Sequence, residues 1–330
     1  MRIANPFLTL TLMSNYTLRG MTHSTRIRLT DPLATAPDLT GRHAIVTGGT
    51  SGLGLASTRL LALRGSTVLI GARDVERAEA VRVRLLEENR LPAERITVAA
   101  LDLIDPESIH QFALGAADRP VDLLVLNAGI SSVPLRHDHA GTESQFATNH
   151  LGHFALTGLL LPSLTQGTGA RVVAVSSALY KGATLDLDDL ASTHRYSPGR
   201  AYSRSKLANT IFAIELNRRL TASGSPIRSF AAHPGMARTP LHATYPSAAT
   251  RILTGAIARA IGREPDPANI GVMTAALNSK ADPHLFWGPA GSKTAPDALG
   301  EPFRPIATDL STATALWNTS ERLTGIRFLS

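Results

Sequence analysis

The stretch "HAIVTGGTSGLGLASTRLLAL", residues 43–63, decides the fold of this chain. It opens with a short apolar run typical of a buried strand, passes through a glycine-rich turn at residues 47–54 and ends in a segment with helical periodicity. A doubly wound α/β fold places its phosphate-binding turn between such a strand and such a helix. Glycines let the backbone approach a pyrophosphate, whose charge then faces the amides at the helix N-terminus.

Outward from this turn, short apolar runs alternate with helical segments along the chain. The strand-like runs are "HAIVTG", "STVLIGA", "RITVAALDL", "VDLLVLNAG", "ARVVAVSS" and "IRSFAAHPG", with a further short run "HLFWG" near the end. Continuous apolar strands that alternate with helices predict a Rossmann-type, doubly wound parallel sheet of about seven strands, covered by helices on both faces. No internal repeat or low-complexity linker interrupts the pattern. We therefore expect a single α/β domain over residues 41–330.

Residues 1–40 differ from the rest because they lack clean periodicity and contain no acidic residue before Asp31. We interpret them as a flexible N-terminal extension. The acid-poor start also resembles a transit peptide, and an upstream start codon, with Met13 or Met21 as the true beginning, is a further reading.

Composition excludes several classes of function. The chain of 330 residues contains no cysteine, which removes disulfides, thiolate metal sites and cysteine nucleophiles together. No apolar run reaches about eighteen residues, so we expect no transmembrane segment and a cytoplasmic protein. The formal net charge of +7 is spread over the chain, which favours a solvated, arginine-rich surface over nucleic-acid binding.

The end of the second predicted strand, "LIGARD", bears on the choice of nicotinamide cofactor. An acidic side chain there would hold the ribose hydroxyls and repel a 2′-phosphate, but this position is Ala72. Arg73 follows, and its planar guanidinium suits bidentate phosphate binding. We therefore expect NADP(H), with NAD(H) possible, although Arg73 is also readable as a solvated residue at a helix start. Asp74 is best read as the N-cap of the next helix.

The stretch "AYSRSKLAN", residues 201–209, places Tyr202 and Lys206 four positions apart in a helical segment. Residues i and i+4 share one helix face, so the phenol and the ammonium can point at the same spot. A surface pair is the alternative reading. Lysine occurs at only a few positions in this arginine-rich chain, which makes Lys206 less typical of surface decoration.

These motifs occur in a fixed order: the glycine turn, "LNAG" after the fourth strand, "NHLGHF" in a long helix, "VSS" after the fifth strand, and the Tyr-x-x-x-Lys stretch. Over residues 39–325 the chain therefore resembles the short-chain dehydrogenase/reductase family. "NHLGHF", "AYSRSKLAN", "HPGMART" and "LWNTSERLTG" resemble its retinol-dehydrogenase-like branch.

The resemblance implies four catalytic residues. Tyr202 would be the general acid in carbonyl reduction and the base in the reverse direction. A free phenol has a pKa of about 10, and the charge of Lys206 would stabilise the phenolate while the ammonium also binds the nicotinamide ribose. Ser177, or alternatively Ser176, would orient the substrate oxygen. Asn149 would anchor a water between Lys206 and solvent, and on composition alone it is a tolerated helical asparagine.

The resemblance also implies the cofactor contacts. The glycine turn and the strand ends would supply Gly48, Thr50, Ser51, Gly52, Leu53, Gly54, Arg73, Asp102, Leu103, Asn127, Ala128, Gly129, Tyr202, Lys206, Pro234, Gly235 and Thr239. Without the family pattern, several of these are ordinary turn residues after strands.

Other signals carry less weight. His137 and His139 in "RHDHAG" alternate faces if extended and have no evident third ligand nearby, so we expect no metal site. His150 and His153 in the long helix are interpreted as packing or interface residues. No Gly-x-Ser-x-Gly elbow occurs, which argues against a hydrolase on a similar sheet.

The residues together predict an NADP(H)-dependent oxidoreductase that moves a hydride between the nicotinamide and a lipophilic alcohol or carbonyl substrate. Loops 178–200 and 236–266 would shape the substrate pocket and contain many apolar residues. The alternative is a non-catalytic NADP(H)-binding sensor or scaffold on the same fold. The family resemblance further implies a homodimer or homotetramer.

Overall fold

The computed structural model describes residues 24–27, 36–167, 169–237, 262–294 and 296–329. The strands are β1 (Thr25–Ile27), β2 (His43–Thr47), β3 (Thr67–Ala72), β4 (Ile96–Ala100), β5 (Leu123–Leu126), β6 (Arg171–Val175), β7 (Arg228–Ala232), β8 (Leu285–Gly291) and β9 (Pro296–Pro302). They form one sheet in the order β1-β9-β8-β7-β6-β5-β2-β3-β4.

The seven strands β2 to β8 pair in parallel, which confirms the predicted doubly wound α/β fold and the expected number of parallel strands. Every residue of β2 and of β5 is buried. Strands covered on both faces need apolar side chains on both faces, which explains the continuous apolar runs in the sequence. Since the strand order reverses between β2 and β5, a crevice opens at that point of the sheet.

Two antiparallel strands extend the sheet beyond the prediction. Strand β9 pairs with β8 from Leu285↔Pro302 to Gly291↔Pro296, and β1 pairs with β9 over three residues. The sequence of β9, "PDALGEP", has no apolar alternation and contains residues that are rare in strands, so periodicity did not reveal it. Three residues of the predicted N-terminal extension therefore belong to the sheet.

The helices cover both faces of the sheet. They are α1 (Gly52–Leu63), α2 (Val75–Asn89), α3 (Pro106–Ala116), α4 (Ser144–Phe146), α5 (Gly152–Gln166), α6 (Pro198–Ala222), α7 (Pro265–Ala268), α8 (Ile270–Leu277), α9 (Pro305–Thr308) and α10 (Leu310–Thr324). One apolar core lies under α1, α2 and α8, and a second lies under α3, α5, α6 and α10. The sheet is thus the middle layer of three.

A π-helical segment, Ala147–Leu151, joins α4 to α5 within the predicted long helix. The amide of Gly152 donates to the carbonyl of Ala147, five residues earlier, so one extra residue is accommodated in the turn. A Cβ on Gly152 would lie 2.1 Å from the carbonyl oxygen of Leu103. Glycine at this position therefore lets the long helix lie directly against the segment that follows β4.

The C-terminal helix α10 covers the outer side of α5 and α6. Trp317 lies 5.0 Å from the ring of Phe154 and 4.8 Å from that of Phe328, centroid to centroid. All residues of α6 from Leu207 to Ala213 are buried within the single chain. The chain thus covers this face of α6 itself, while the predicted homodimer or homotetramer stays a prediction.

Within the part of the chain that the structure describes, no helix has both the length and the apolar character needed to cross a membrane.

Candidate active site

A cleft of about 410 Å³ opens at the carboxyl ends of the central parallel strands. Its lining includes the following predicted cofactor contacts: Gly48, Thr50, Ser51, Gly52, Leu53, Arg73, Asp102, Leu103, Asn127, Ala128, Gly129, Tyr202, Lys206 and Pro234. It also includes residues that were not among the predicted contacts: Gly71, Ala72, Asp74, Arg77, Leu101, Ile130, Thr148, Val175 and Ser176. The structure therefore brings residues from widely separated motifs to one site.

The glycine turn forms one wall of this cleft. Gly48 and Gly52 have φ angles of +66° and +50°, which residues with a side chain rarely adopt. A Cβ on Gly54 would lie 2.3 Å from the carbonyl oxygen of Gly48, so Gly54 lets α1 begin directly behind the turn. The N-cap residue Ser51 makes no side-chain cap hydrogen bond and the first turn holds no acidic residue. The N-terminus of α1 is thus suited to an anionic ligand.

Two arginines lie just after the end of strand β3. Arg73 follows β3 directly, and Arg77 lies four residues later in the first turn of α2. Asp74 is the N-cap of α2, as predicted, since its carboxylate accepts a hydrogen bond from the Arg77 amide at 3.0 Å. Arg77 was not predicted because Arg73 precedes the helix, so helical spacing does not relate the two arginines.

The turn after β5 forms the opposite wall. The Asn127 side-chain amide donates to the carbonyls of Thr47 at 2.9 Å and Gly48 at 3.3 Å, and so ties this turn to the glycine turn. A Cβ on Gly129 would lie 3.0 Å from Asn149 Oδ1 and 3.6 Å from Lys206 Nζ. The backbone at Gly129 therefore approaches two predicted catalytic residues at once.

Tyr202 and Lys206 lie on α6 at the end of the cleft. The Lys206 Nζ is 5.7 Å from the centre of the Tyr202 ring and donates to the carbonyl of Val175 at 2.9 Å. Lys206 is only 4% exposed, and burial lowers its pKa from the ordinary value of 10.5 to about 8. An ammonium has three donors and the Val175 carbonyl takes one, so the group retains hydrogen-bonding capacity for a ligand.

The two serines after β6 make different contacts. Ser176 is buried, and its hydroxyl donates to the carbonyl of Lys206 at 2.8 Å while also contacting Thr210 Oγ1 at 2.8 Å. Ser176 therefore fixes the backbone of α6. Ser177 is half-buried, and its Oγ accepts from the Leu179 amide at 3.3 Å, which leaves its proton to donate elsewhere. Ser176 lines the cleft but its hydroxyl is engaged with α6, whereas Ser177 is not among the lining residues and its proton is not engaged by Leu179.

Asn149 lies behind the cleft in the π-helical segment and is fully buried. Its Oδ1 accepts from the Ile130 amide at 2.8 Å, and its Nδ2 donates to the Ile130 carbonyl and to Ser205 Oγ, both at 2.9 Å. Ser205 Oγ in turn donates to the carbonyl of Tyr202 at 2.8 Å. The side chain of Asn149 thus joins the turn after β5 to the helix that carries Tyr202.

A second buried amide positions the start of α6. Gln145 accepts from the Ser132 amide at 2.7 Å and donates to Tyr196 Oη at 3.0 Å and to the Pro198 carbonyl at 3.1 Å. The Tyr196 hydroxyl donates to the carbonyl of Val133 at 2.6 Å. No sequence pattern marked Gln145, because its partners come from loops far along the chain.

Several predicted site residues are not part of the cleft lining. Gly235 follows Pro234 with a φ of +64°, and its amide donates to His233 Nδ1 at 3.0 Å. The lining does not include Gly54, Asn149, Ser177 or Gly235, and Thr239 lies outside the described residues. His137 Nε2 contacts the carbonyl of Ala191 at 2.8 Å. Among the described residues, no group of three or more His, Asp and Glu side chains is arranged to hold a metal ion.

A comparison with protein families identifies this arrangement. A family model described as short chain dehydrogenase matches residues 42–249, a span that contains the glycine turn, both serines, Tyr202 and Lys206. The chain belongs to the short-chain dehydrogenase family. Members of this family are oxidoreductases that bind a nicotinamide cofactor, and the predicted membership is confirmed.

Individual relatives of this short-chain dehydrogenase refine the assignment. It is 36% identical over 296 residues to retinol dehydrogenase 12 of Homo sapiens, covering 88% of either chain. It is 41% identical over 212 residues to polyprenol dehydrogenase of Mus musculus, covering 62% of this chain and 63% of that relative. The predicted similarity to the retinol-dehydrogenase-like branch is thereby confirmed.

A solved structure supports the same fold. The crystal structure of an uncharacterized protein from Mycobacterium paratuberculosis is 39% identical, with a TM-score of 0.72. The match covers 91% of this chain and 99% of that one.

The burial of Lys206 predicts how stability depends on pH. The unfolded lysine titrates near 10.5 and the folded one near 8, so between these values the unfolded state binds more protons and the stability of the wild type rises with pH. Lys206→Met lacks this titration. We expect the free energy of unfolding of the wild type to gain about 3 kcal/mol relative to Lys206→Met between pH 8 and 10.5.

Urea unfolding of both proteins across this pH range measures the difference directly. The exposed residue Lys280 provides the matched control, because Lys280→Met should follow the wild type at every pH. If the free energy of unfolding changes with pH equally in the wild type and in Lys206→Met, the pKa of Lys206 is not lowered by burial.

Proposed function

We propose that this chain is an NADP(H)-dependent oxidoreductase that interconverts a lipophilic alcohol and the corresponding carbonyl compound. The observation that carries the proposal is the buried Lys206 ammonium beside the Tyr202 ring at the end of the cleft. A charge buried at this cost is typical of a functional site. The bound nicotinamide would supply the hydride for reduction or accept it in oxidation.

Tyr202 would donate its phenolic proton to the substrate oxygen in reduction and take it back in oxidation. The phenolate left after donation is favoured by the positive charge of Lys206, whose Nζ lies 5.7 Å from the ring centre. The carbonyl of Val175 holds this ammonium in place, so no reorganisation is needed when the negative charge develops.

Ser177 would donate a hydrogen bond to the same substrate oxygen. Its Oγ already accepts from the Leu179 amide, which orients the hydroxyl and leaves the proton for the substrate. Ser177 follows β6, and Tyr202 lies on the helix packed against β6, so the two hydroxyls come from neighbouring elements. Two donors at one oxygen stabilise the charge that forms there.

The cleft suits a phosphorylated dinucleotide. The N-terminus of α1 offers amides to a pyrophosphate, and Lys206 offers donors to a ribose. Arg73 and Arg77 are the cations at the end of β3, where Ala72 stands in place of an acidic residue. This charge arrangement supports a preference for the 2′-phosphate of NADP(H), and NAD(H) remains the weaker ligand.

Two exposed apolar side chains follow the strands that carry Ser177 and Pro234 at their ends. Leu179, two residues after Ser177, is 58% exposed, and Met236, two residues after Pro234, is 42% exposed. Since β6 and β7 are neighbours, these side chains follow adjacent strand ends. Apolar groups beside polar catalytic residues suit an alcohol with a hydrocarbon body. The relatives named retinol dehydrogenase and polyprenol dehydrogenase support this substrate class.

Replacing the proposed acid tests the reaction. We expect the purified protein to oxidise NADPH in the presence of at least one member of a panel of all-trans-retinal, farnesal and decanal. Tyr202→Phe should lower kcat by about 10²–10⁴-fold, because general acid–base catalysis contributes a factor of this size. NADPH affinity, measured by fluorescence titration, should change by no more than about tenfold because only one hydroxyl is removed.

The matched control is Tyr180→Phe, which removes a buried hydroxyl that accepts from the Arg304 amide outside the cleft. It should keep kcat within a few-fold. Tight NADPH binding by the wild type and by Tyr202→Phe, with no turnover of any panel member by either, would instead support a non-catalytic NADP(H)-binding sensor.

The preference for NADP(H) depends on Arg73. Arg73→Ser should weaken NADPH binding by about 10–100-fold, the value of a hydrogen bond between charged groups, while NADH binding stays nearly constant. Arg84→Ser removes the same charge from an exposed pair with Glu88 on α2 and should leave both affinities unchanged. An equal loss for both cofactors in Arg73→Ser would mean that the arginine does not read the 2′-phosphate.

A further inference from the structure

His153, interpreted from the sequence as a packing or interface residue, lies at the centre of a buried polar chain. Its ring contacts Thr47 Oγ1 through Nε2 at 2.9 Å and the carbonyl of Asn149 through Nδ1 at 2.9 Å. His153 is 2% exposed. Thr47 is the last residue of β2, and Asn149 is a predicted catalytic residue, so this imidazole joins two parts of the site.

The contacts of Thr47 determine which ring nitrogen carries the proton. Its Oγ1 accepts from the amides of Asn127 and Ala128, both at 2.9 Å, and these bonds use its two lone pairs. Its proton then donates to His153 Nε2 at 2.9 Å, because the alternative acceptor, the Val125 carbonyl, is at 3.4 Å.

A neutral imidazole that accepts at Nε2 carries its proton on Nδ1. That proton is the one donated to the Asn149 carbonyl, so all hydrogen bonds from Thr47 to Asn149 run in the same donor-to-acceptor direction. Burial, with a smaller contribution from the charge of Lys206, lowers the pKa of His153 to about 4. The ring is therefore neutral near pH 7.

The polar chain reaches both the cofactor walls and the catalytic residues. At one end, the Asn127 and Ala128 amides belong to the turn that lines the cleft. At the other, the Asn149 side chain is bonded to both backbone groups of Ile130 and lies next to the backbone of Gly129. A shift of the imidazole would therefore move the nucleotide wall and the neighbourhood of Lys206 together.

We propose that His153 is a positioning residue for the reaction, whose Nδ1-protonated imidazole couples the Thr47 end of β2 to the Asn149 segment and so sets the cofactor wall relative to Tyr202 and Lys206. This inference rests on the proposed function. It predicts a function for the second histidine of "NHLGHF" that depends on its tautomer rather than on its volume.

The first histidine of that motif, His150, provides a matched control on the same helix. It is equally buried, and its ring lies among Phe146, Phe154 and Phe212 at centroid distances of 5.1, 6.3 and 6.0 Å. Its Nε2 contacts Ser320 Oγ at 2.9 Å, away from the cleft. Ser320 Oγ also contacts the Leu316 carbonyl at 2.8 Å, so the contact of His150 with Ser320 leads to α10 rather than to the cleft.

The first test measures the tautomer in the wild-type protein, where no variant has to fold. In ¹⁵N NMR spectra of histidine-labelled protein at pH 7, the single ring proton of His153 should be on Nδ1. A proton on Nε2 of His153, or a doubly protonated ring, would overturn the proposal.

The second test is a double-mutant cycle on NADPH affinity. His153→Phe and Thr47→Val should each weaken binding about tenfold, and the double variant should lose little more than either single one, because both remove the same coupling. Thr47→Ser, which keeps the hydroxyl, should recover most of the affinity lost in Thr47→Val. His150→Phe should bind NADPH like the wild type.

With an active substrate from the panel, His153→Phe should also lower kcat more than it changes the KM for that substrate. If the affinity losses in the cycle are additive, the proposal is wrong. It is also wrong if His153→Phe lowers the heat stability but leaves NADPH affinity and kcat unchanged, because His153 would then be only a structural residue. If no substrate is turned over, the proposed oxidoreductase function fails. The tautomer measurement and the double-mutant cycle on NADPH affinity still test whether His153 positions the cofactor wall.

Discussion

The ammonium of Lys206 is buried at the carboxyl edge of a parallel sheet, and the rest of the site is arranged around that charge. Removing a cation from water costs several kcal/mol unless other groups compensate. Here the Val175 carbonyl at the end of β6 accepts one of its protons, and burial still lowers its pKa to about 8. The buried ammonium therefore lowers the stability of the fold, and it places a positive charge beside Tyr202.

The sheet makes this arrangement possible because its parallel strands end at one edge. The glycine turn follows β2, the arginines follow β3, the Asn127 turn follows β5 and the serines follow β6. Buried polar side chains from the long helix then join these ends: Asn149 holds Ile130, and His153 holds Thr47. Rigid elements with satisfied hydrogen bonds thus hold the proposed catalytic residues in place before any ligand arrives.

Local patterns were sufficient to predict the parallel strands, the glycine turn and the Tyr202–Lys206 pair, because each depends on spacing within a few residues. Other features depend on contacts between distant segments. His153 lies 106 residues from Thr47 in the sequence, and the choice between Ser176 and Ser177 follows from a bond to the Lys206 carbonyl. Strand β9 was missed because pairing with β8, rather than its own propensity, makes it a strand.

The most direct test of the central claim follows the hydride itself. The protein would be given NADPH deuterated at the nicotinamide C4, prepared separately in each of the two configurations, together with the best carbonyl substrate of the panel. Mass spectrometry should find one deuterium on the carbinol carbon of the product from one configuration only, because a nicotinamide bound in one orientation presents one face to the substrate. Tight NADPH binding with unlabelled product from both preparations would contradict a hydride-transfer function for this site.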